Sequence, residues 1–213
     1  MTSTREEHRG EGARAAERLI AIGASAGGVE ALKRLAADLP RDLPAALAVV
    51  LHQPPGYPSA LAYILSRAGP LPALEAREGT LLEPGRILVA GPGSHLVFQG
   101  GRARLIDAAP VNRVKPSVDL LFLSGAREFG PRFVAVVLSG TLNDGSAGLV
   151  AVRRAGGLAV VQDPHDAMFW DMPWNAIDAA GTDYCVPLRD MARLLDRLVR
   201  QDIGRSQGTP AIA

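Results

Sequence analysis

Apolar residues in this chain fall into short continuous runs that alternate with stripes at helical spacing. Leu19-Ile20-Ala21-Ile22 is a run of strand length that stops at Gly23. Beyond the turn Ala24-Ser25-Ala26-Gly27-Gly28, the positions Val29, Leu32, Leu35 and Leu39 predict a helix to about Asp38. Residues 45–51 predict a second strand, and a helix follows the Pro/Gly loop 54–58 and runs through Leu65. Residues 86–90 form a short strand ending in Gly91-Pro92-Gly93. Two further runs, 96–99 and 102–106, flank Gly100-Gly101, the signature of a hairpin. Ser117 reads as the N-cap of a helix through about Glu128. Then come a strongly apolar strand (133–139), a helix (145–154) stopped by Gly156-Gly157, and a strand (158–162). A short helix (172–180), a last strand (183–186) and an amphipathic helix (188–200) close the pattern. The alternation predicts an α/β fold of parallel βαβ units, with an antiparallel hairpin inserted.

The 213 residues are 47% hydrophobic, enough for one domain with a sizeable core. Residues 1–17 and 204–213 are polar without core periodicity and read as disordered tails around a domain at 18–203. A formal net charge of +1 supplies no basic field for nucleic acid or an anionic membrane. No apolar run reaches the ~18 residues of a membrane span, and the charged N-terminus has no signal-peptide core. The expectation is a cytoplasmic protein without membrane insertion. The single cysteine, Cys185, cannot form an internal disulfide and reads as a small buried hydrophobe. His8, His95 and His165 show no metal-ligand spacing, so a zinc site is not expected.

Ligands of open α/β sheets bind beyond the carboxyl ends of the strands. Ser25, His52 and Asp144 each fall just past the end of a predicted strand. Singly, each has a plain alternative: Ser25 as a helix cap, His52 as a loop histidine bonded to backbone, Asp144 as the cap of the helix beginning at Gly145. Together they are the set for nucleophilic acyl transfer, a hydroxyl, a base and a carboxylate that orients the base. A dinucleotide fingerprint wants glycine where Ser25 stands and an acid where His52 stands, and a P-loop wants a lysine that is absent. Gly23-Ala24-Ser25-Ala26-Gly27 fits the letters of a hydrolase elbow, but the order serine, histidine, acid differs from that fold.

Five segments in series carry a family resemblance. They are Ile22-Gly23-Ala24-Ser25-Ala26-Gly27-Gly28; His52 before Pro54-Pro55-Gly56; Pro110-Val111-Asn112-Arg113 with Pro116-Ser117-Val118-Asp119; Leu138-Ser139-Gly140 with Asn143-Asp144-Gly145; and Met172-Pro173. Over about residues 18–200 the chain resembles the catalytic domain of the bacterial chemotaxis protein-glutamate methylesterase. The resemblance implies a three-layer α/β/α domain with a doubly wound, mainly parallel sheet. It implies hydrolysis of glutamate methyl esters on cytoplasmic helices of methyl-accepting chemoreceptors, with deamidation of glutamines in some members, and no metal or organic cofactor. Ser25 matches the nucleophile, His52 the general base and Asp144 its orienting acid. The oxyanion is expected on the N–H groups of Ala26 or Gly27, with Thr141 as a further donor and Met172 among the substrate contacts.

The sequence also departs from that family. Its histidine loop usually reads Gln-His-Met-Pro, against Leu51-His52-Gln53-Pro54 here. Methionine and glycine usually precede Asn-Asp-Gly, where this chain has Thr141 and Leu142, and Asp171 replaces a glycine before Met172-Pro173. A backbone N–H at Thr141 survives a change of side chain, whereas leucine lacks the conformational range of glycine. Family members usually begin with a receiver domain of ~120 residues, far longer than the segment before Leu19. The expectation is therefore a stand-alone catalytic domain that works with a separate response regulator or methyltransferase. The rival reading is a catalytically impaired binding module of the same fold in a two-component-type pathway.

Overall fold

The computed structural model describes residues 14–52 and 59–201. The expected tails outside 14–201, His8, Gln53 and the Pro/Gly loop lie outside the described residues. The first half of the fold runs β1 (Leu19–Ala24), α1 (Gly28–Asp38), β2 (Ala46–Leu51), α2 (Leu61–Ala68), β3 (Ala73–Glu75) and β4 (Ile87–Val89). A hairpin follows, β5 (His95–Gln99) and β6 (Arg102–Ile106). The second half is α3 (Val118–Phe129), β7 (Phe133–Val137), α4 (Ser146–Arg154), β8 (Leu158–Gln162), α5 (Asp171–Ala180), β9 (Tyr184–Val186) and α6 (Leu188–Arg200).

Seven strands form one sheet in the order β3-β4-β2-β1-β7-β8-β9, with every pairing parallel. β1, β2 and β7 are buried at every position, as a central parallel strand covered on both faces must be. Alternate residues feed two cores. Ile20, Ile22, Leu47, Val49, Val134 and Val136 face α1, α2 and α6. Leu19, Ala21, Ala48, Val50, Ala135 and Val137 face α3, α4 and α5. The hairpin packs on this second core through Leu96, Phe98 and Ala103. The architecture is thus three layers with an antiparallel insertion.

Three details depart from the sequence reading. β3 was not anticipated, because three partly exposed residues at the sheet edge carry too little pattern. α2 continues past Leu65 to Ala68. Cys185 is exposed rather than buried. It lies on the edge strand β9, whose neighbours Tyr184 and Val186 take the covered face, so alternation turns the thiol outward. At the other end of the chain, Ala16 is already packed, and its N–H donates to the Leu82 carbonyl at 2.7 Å. Among the described residues no helix is long and apolar enough to cross a membrane.

The chain leaves β1 toward β2 on one side and returns to β7 on the other, so the topological switch lies between β1 and β7. At that point Gly23 makes close packing possible. A Cβ on it would sit 2.3 Å from Cγ1 of Val118. The bare backbone lets the first turn of α3 lie against the end of β1.

Candidate active site

Ser25 and His52 step off adjacent strands at the same rung. The β1–β2 register ends on Ala24 opposite Leu51, and the His52 N–H donates to the Ala24 carbonyl at 3.1 Å. The Ser25 N–H is tied to β7 on the other side, donating to the Ser139 carbonyl at 3.0 Å. Gly140 abuts the nucleophile candidate as well, since a Cβ there would lie 2.9 Å from Cβ of Ser25. Ser25 is therefore fixed between the ends of β2 and β7.

Asp144 reaches this edge from the loop after β7. Its Oδ2 lies 2.8 Å from Nε2 of His52, and the two side chains are 3% and 13% exposed. With Nε2–H given to the carboxylate, Nδ1 is the ring acceptor. The carboxylate also takes N–H bonds from Val118 (2.7 Å) and Asp119 (3.1 Å) and the hydroxyl of Ser117 (3.0 Å). Those two N–H groups belong to the first turn of α3, where the helix dipole favours negative charge. Burial alone pushes the Asp144 pKa up. The His52 bond and the N–H groups of Val118 and Asp119 outweigh it, so the carboxyl sits below its ordinary value. The arrangement keeps a buried carboxylate ionised beside an imidazole, as stabilising an imidazolium requires.

A second carboxylate returns the contact. Asp119 accepts the N–H groups of Gly145 (2.9 Å) and Gly148 (2.7 Å) at the start of α4, and an N–H of the Asn112 amide at 3.3 Å. Asp144 thus caps α3, the helix that holds Asp119, and Asp119 caps α4, the helix that follows Asp144. For Asp119, burial is the largest influence and the nearby Asp144 charge adds to it; despite the two N–H bonds its pKa is raised. Behind Ser117 stands His95, fully buried, whose Nδ1 accepts the Ser117 N–H at 3.1 Å and whose Nε2 lies 3.1 Å from the Ala109 carbonyl. Sequence reasoning gave Ser117 its capping role, which it has toward Leu120, but missed its bond to Asp144. Asp119 carried one legible sign, an acid in a first helical turn. His95 carried none, because its partners are 14 and 22 residues away.

Two of the N–H groups named for the oxyanion, those of Ala26 and Gly27, directly follow Ser25. Gly28 donates to the Ser25 carbonyl at 2.8 Å, and Ser139 Oγ donates to the Ala26 carbonyl at 2.9 Å. In a planar trans peptide the N–H points opposite the carbonyl. The N–H groups of Ala26 and Gly27 are thereby turned away from these bonds, and neither has an acceptor among the described residues. Gly27 adopts φ 72°, the left-handed region. The Gly140 carbonyl accepts the Met172 N–H at 3.0 Å, which turns the Thr141 N–H the other way by the same logic.

Met172, expected among the substrate contacts, needs correction. It is 1% exposed and lies beneath Gly140, where its sulfur leaves no room for a Cβ. It supports the loop rather than lining the cleft. Asp171 opens α5 and places an acid in its first turn, a favourable position. Leu142 adopts φ 66°. A non-glycine residue in that region costs about 1 kcal/mol or more. The rim beside Gly27 is apolar. Met168 and Phe169 lie over it, and Trp170 and Trp174 line a neighbouring cavity of about 660 Å³ with Pro164, His165 and Ala167.

The fold has a counterpart among known proteins. The model of the CheB methylesterase family matches residues 20–195. The chain belongs to that family. A crystal structure of the Thermotoga maritima CheB methylesterase catalytic domain matches it with a TM-score of 0.81 at 31% identity, covering 85% of this chain and 98% of that one. A protein-glutamate methylesterase/protein-glutamine glutaminase 2 of Anaeromyxobacter dehalogenans (strain 2CP-C) is 40% identical over 201 residues, 94% of this chain and 59% of that protein. One of Geobacter sulfurreducens, numbered 3, is 42% identical over 179 residues, 82% of this chain and 48% of that protein. This member of the CheB methylesterase family therefore spans about half the length of the curated relatives it matches.

Proposed function

We propose that the chain is a serine hydrolase that demethylates glutamate methyl esters on the cytoplasmic helices of chemoreceptor-type proteins and deamidates glutamines there. The supporting observation is the part-buried His52–Asp144 pair at 2.8 Å, with His52 at the same rung as Ser25 at the switch of the sheet, in a chain of the CheB methylesterase family. Ser25 Oγ attacks the ester carbonyl while Nδ1 of His52 takes its proton. Asp144 stabilises the imidazolium, and the N–H groups of Ala26, Gly27 and Thr141 receive the oxyanion. His52 returns the proton to the leaving methoxide, methanol departs, and water cleaves the acyl-serine by the reverse proton path. With glutamine, the leaving group is ammonia. Residues 18–203 are the catalytic unit in this reading, acting in the cytoplasm with a response regulator or methyltransferase.

The competing reading is a binding module that keeps the cleft and has lost the chemistry. A fluorophosphonate probe separates the two. The hydrolase reading expects one adduct, mapped by mass spectrometry to Ser25 and absent from Ser25→Ala. A folded chain that stays unlabelled contradicts it.

A further inference from the structure

Resting on the hydrolase reading above, we propose that Asn175 is a positioning residue for the reaction, holding the 140–142 turn so that the Thr141 N–H stays aimed at the oxyanion. The turn is tied to α5 at two points. At one end the Met172 N–H donates to the Gly140 carbonyl at 3.0 Å. At the other, Nδ2 of Asn175 donates to the Leu142 carbonyl at 2.8 Å. Met172 and Asn175 are three positions apart on α5 and so share a face of the helix. Thr141 lies between the two anchored carbonyls.

The second anchor matters because of what stands at position 142. Leu142 is held at φ 66°, and the residue is 65% exposed. Burial therefore does not hold this residue in the left-handed region. The Asn175 amide is the one hydrogen bond made by Leu142 among the described residues. Without it, leucine gains by relaxing toward negative φ, and the turn carries Thr141 with it. A glycine at 142 has no such gain, since both signs of φ suit it. The effect of removing the amide therefore depends on the residue at 142, a coupling that a merely structural Asn175 does not require.

The test is a double-mutant cycle read as methanol release from methylated receptor. Asn175→Ala and the isosteric Asn175→Asp, which keeps the shape but not the donor, each lower kcat about fivefold, as expected for one lost hydrogen bond. KM stays within about twofold, and thermal unfolding shows both variants folded. In a Leu142→Gly background the same changes at 175 lower kcat by less than about twofold. Equal losses in the two backgrounds, or no loss with Leu142 present, overturn the proposal. If the parent chain releases no methanol, the hydrolase reading falls and this inference with it. An active parent that is insensitive at 175 removes the inference alone.

Discussion

Leu142 and Asp144 stand two residues apart in one turn and are held in opposite ways. Asp144 is 3% exposed and bonded to His52, Ser117, Val118 and Asp119, and the neighbouring Asp119 binds back to the helix that Asp144 precedes. Leu142 is 65% exposed, strained in φ and held by one side-chain amide. The difference follows from what each must do. A buried negative charge is tolerable only when its lone pairs are satisfied. A loop that stays at the surface has few contacts available to fix it.

Breaking the buried side gives the largest effect. Asp144→Asn replaces an all-acceptor group by one that presents an NH2 to N–H donors and to His52. Turnover should fall on the order of 10⁴-fold, the scale for losing the orienting acid of a triad, measured as kcat for methanol release. A smaller effect tests the same site from outside. Gly23→Ala places a methyl against Val118, whose N–H holds Asp144. It should destabilise the fold by about 1–3 kcal/mol, the usual cost of overpacking, and lower kcat with it. Denaturant unfolding checks the first, and an unchanged midpoint contradicts the close approach of α3 to β1.

The finest test separates the two aspartates by pH. The folded pKa of Asp144 is depressed. Its stabilisation is present above the unfolded value of about 3.9 and is lost as pH falls through the lower folded value. The folded pKa of Asp119 is raised. Its contribution has the opposite sign, full below the unfolded value and lost as pH rises through the folded one. Stability-against-pH curves in the acid range should therefore change slope in opposite directions for Asp144→Asn and Asp119→Asn. Parallel changes would show that the two carboxylates do not differ in environment.

Much of this was legible in the sequence because it was local. Strand ends, glycine turns and the Ser117 cap follow from neighbours in the chain, so Ser25, His52 and Asp144 could be named by their places after strands. Their convergence needed the strand order, which places β7 beside β1 although they are over a hundred residues apart. The reciprocal capping by Asp119 and the support from His95 are tertiary and left little local pattern. Met172 was misjudged for the same reason, since a motif position does not tell which side of a loop a side chain takes.

The central claim is that Ser25, activated by the His52–Asp144 pair, cleaves a glutamate methyl ester. Incubation of the chain with receptor carrying labelled methyl groups tests it directly. Volatile labelled methanol should accumulate with the parent protein, and a folded Ser25→Ala variant should release about 10⁴-fold less or none. Release at the parent rate from that variant, or none from the parent, would contradict the account.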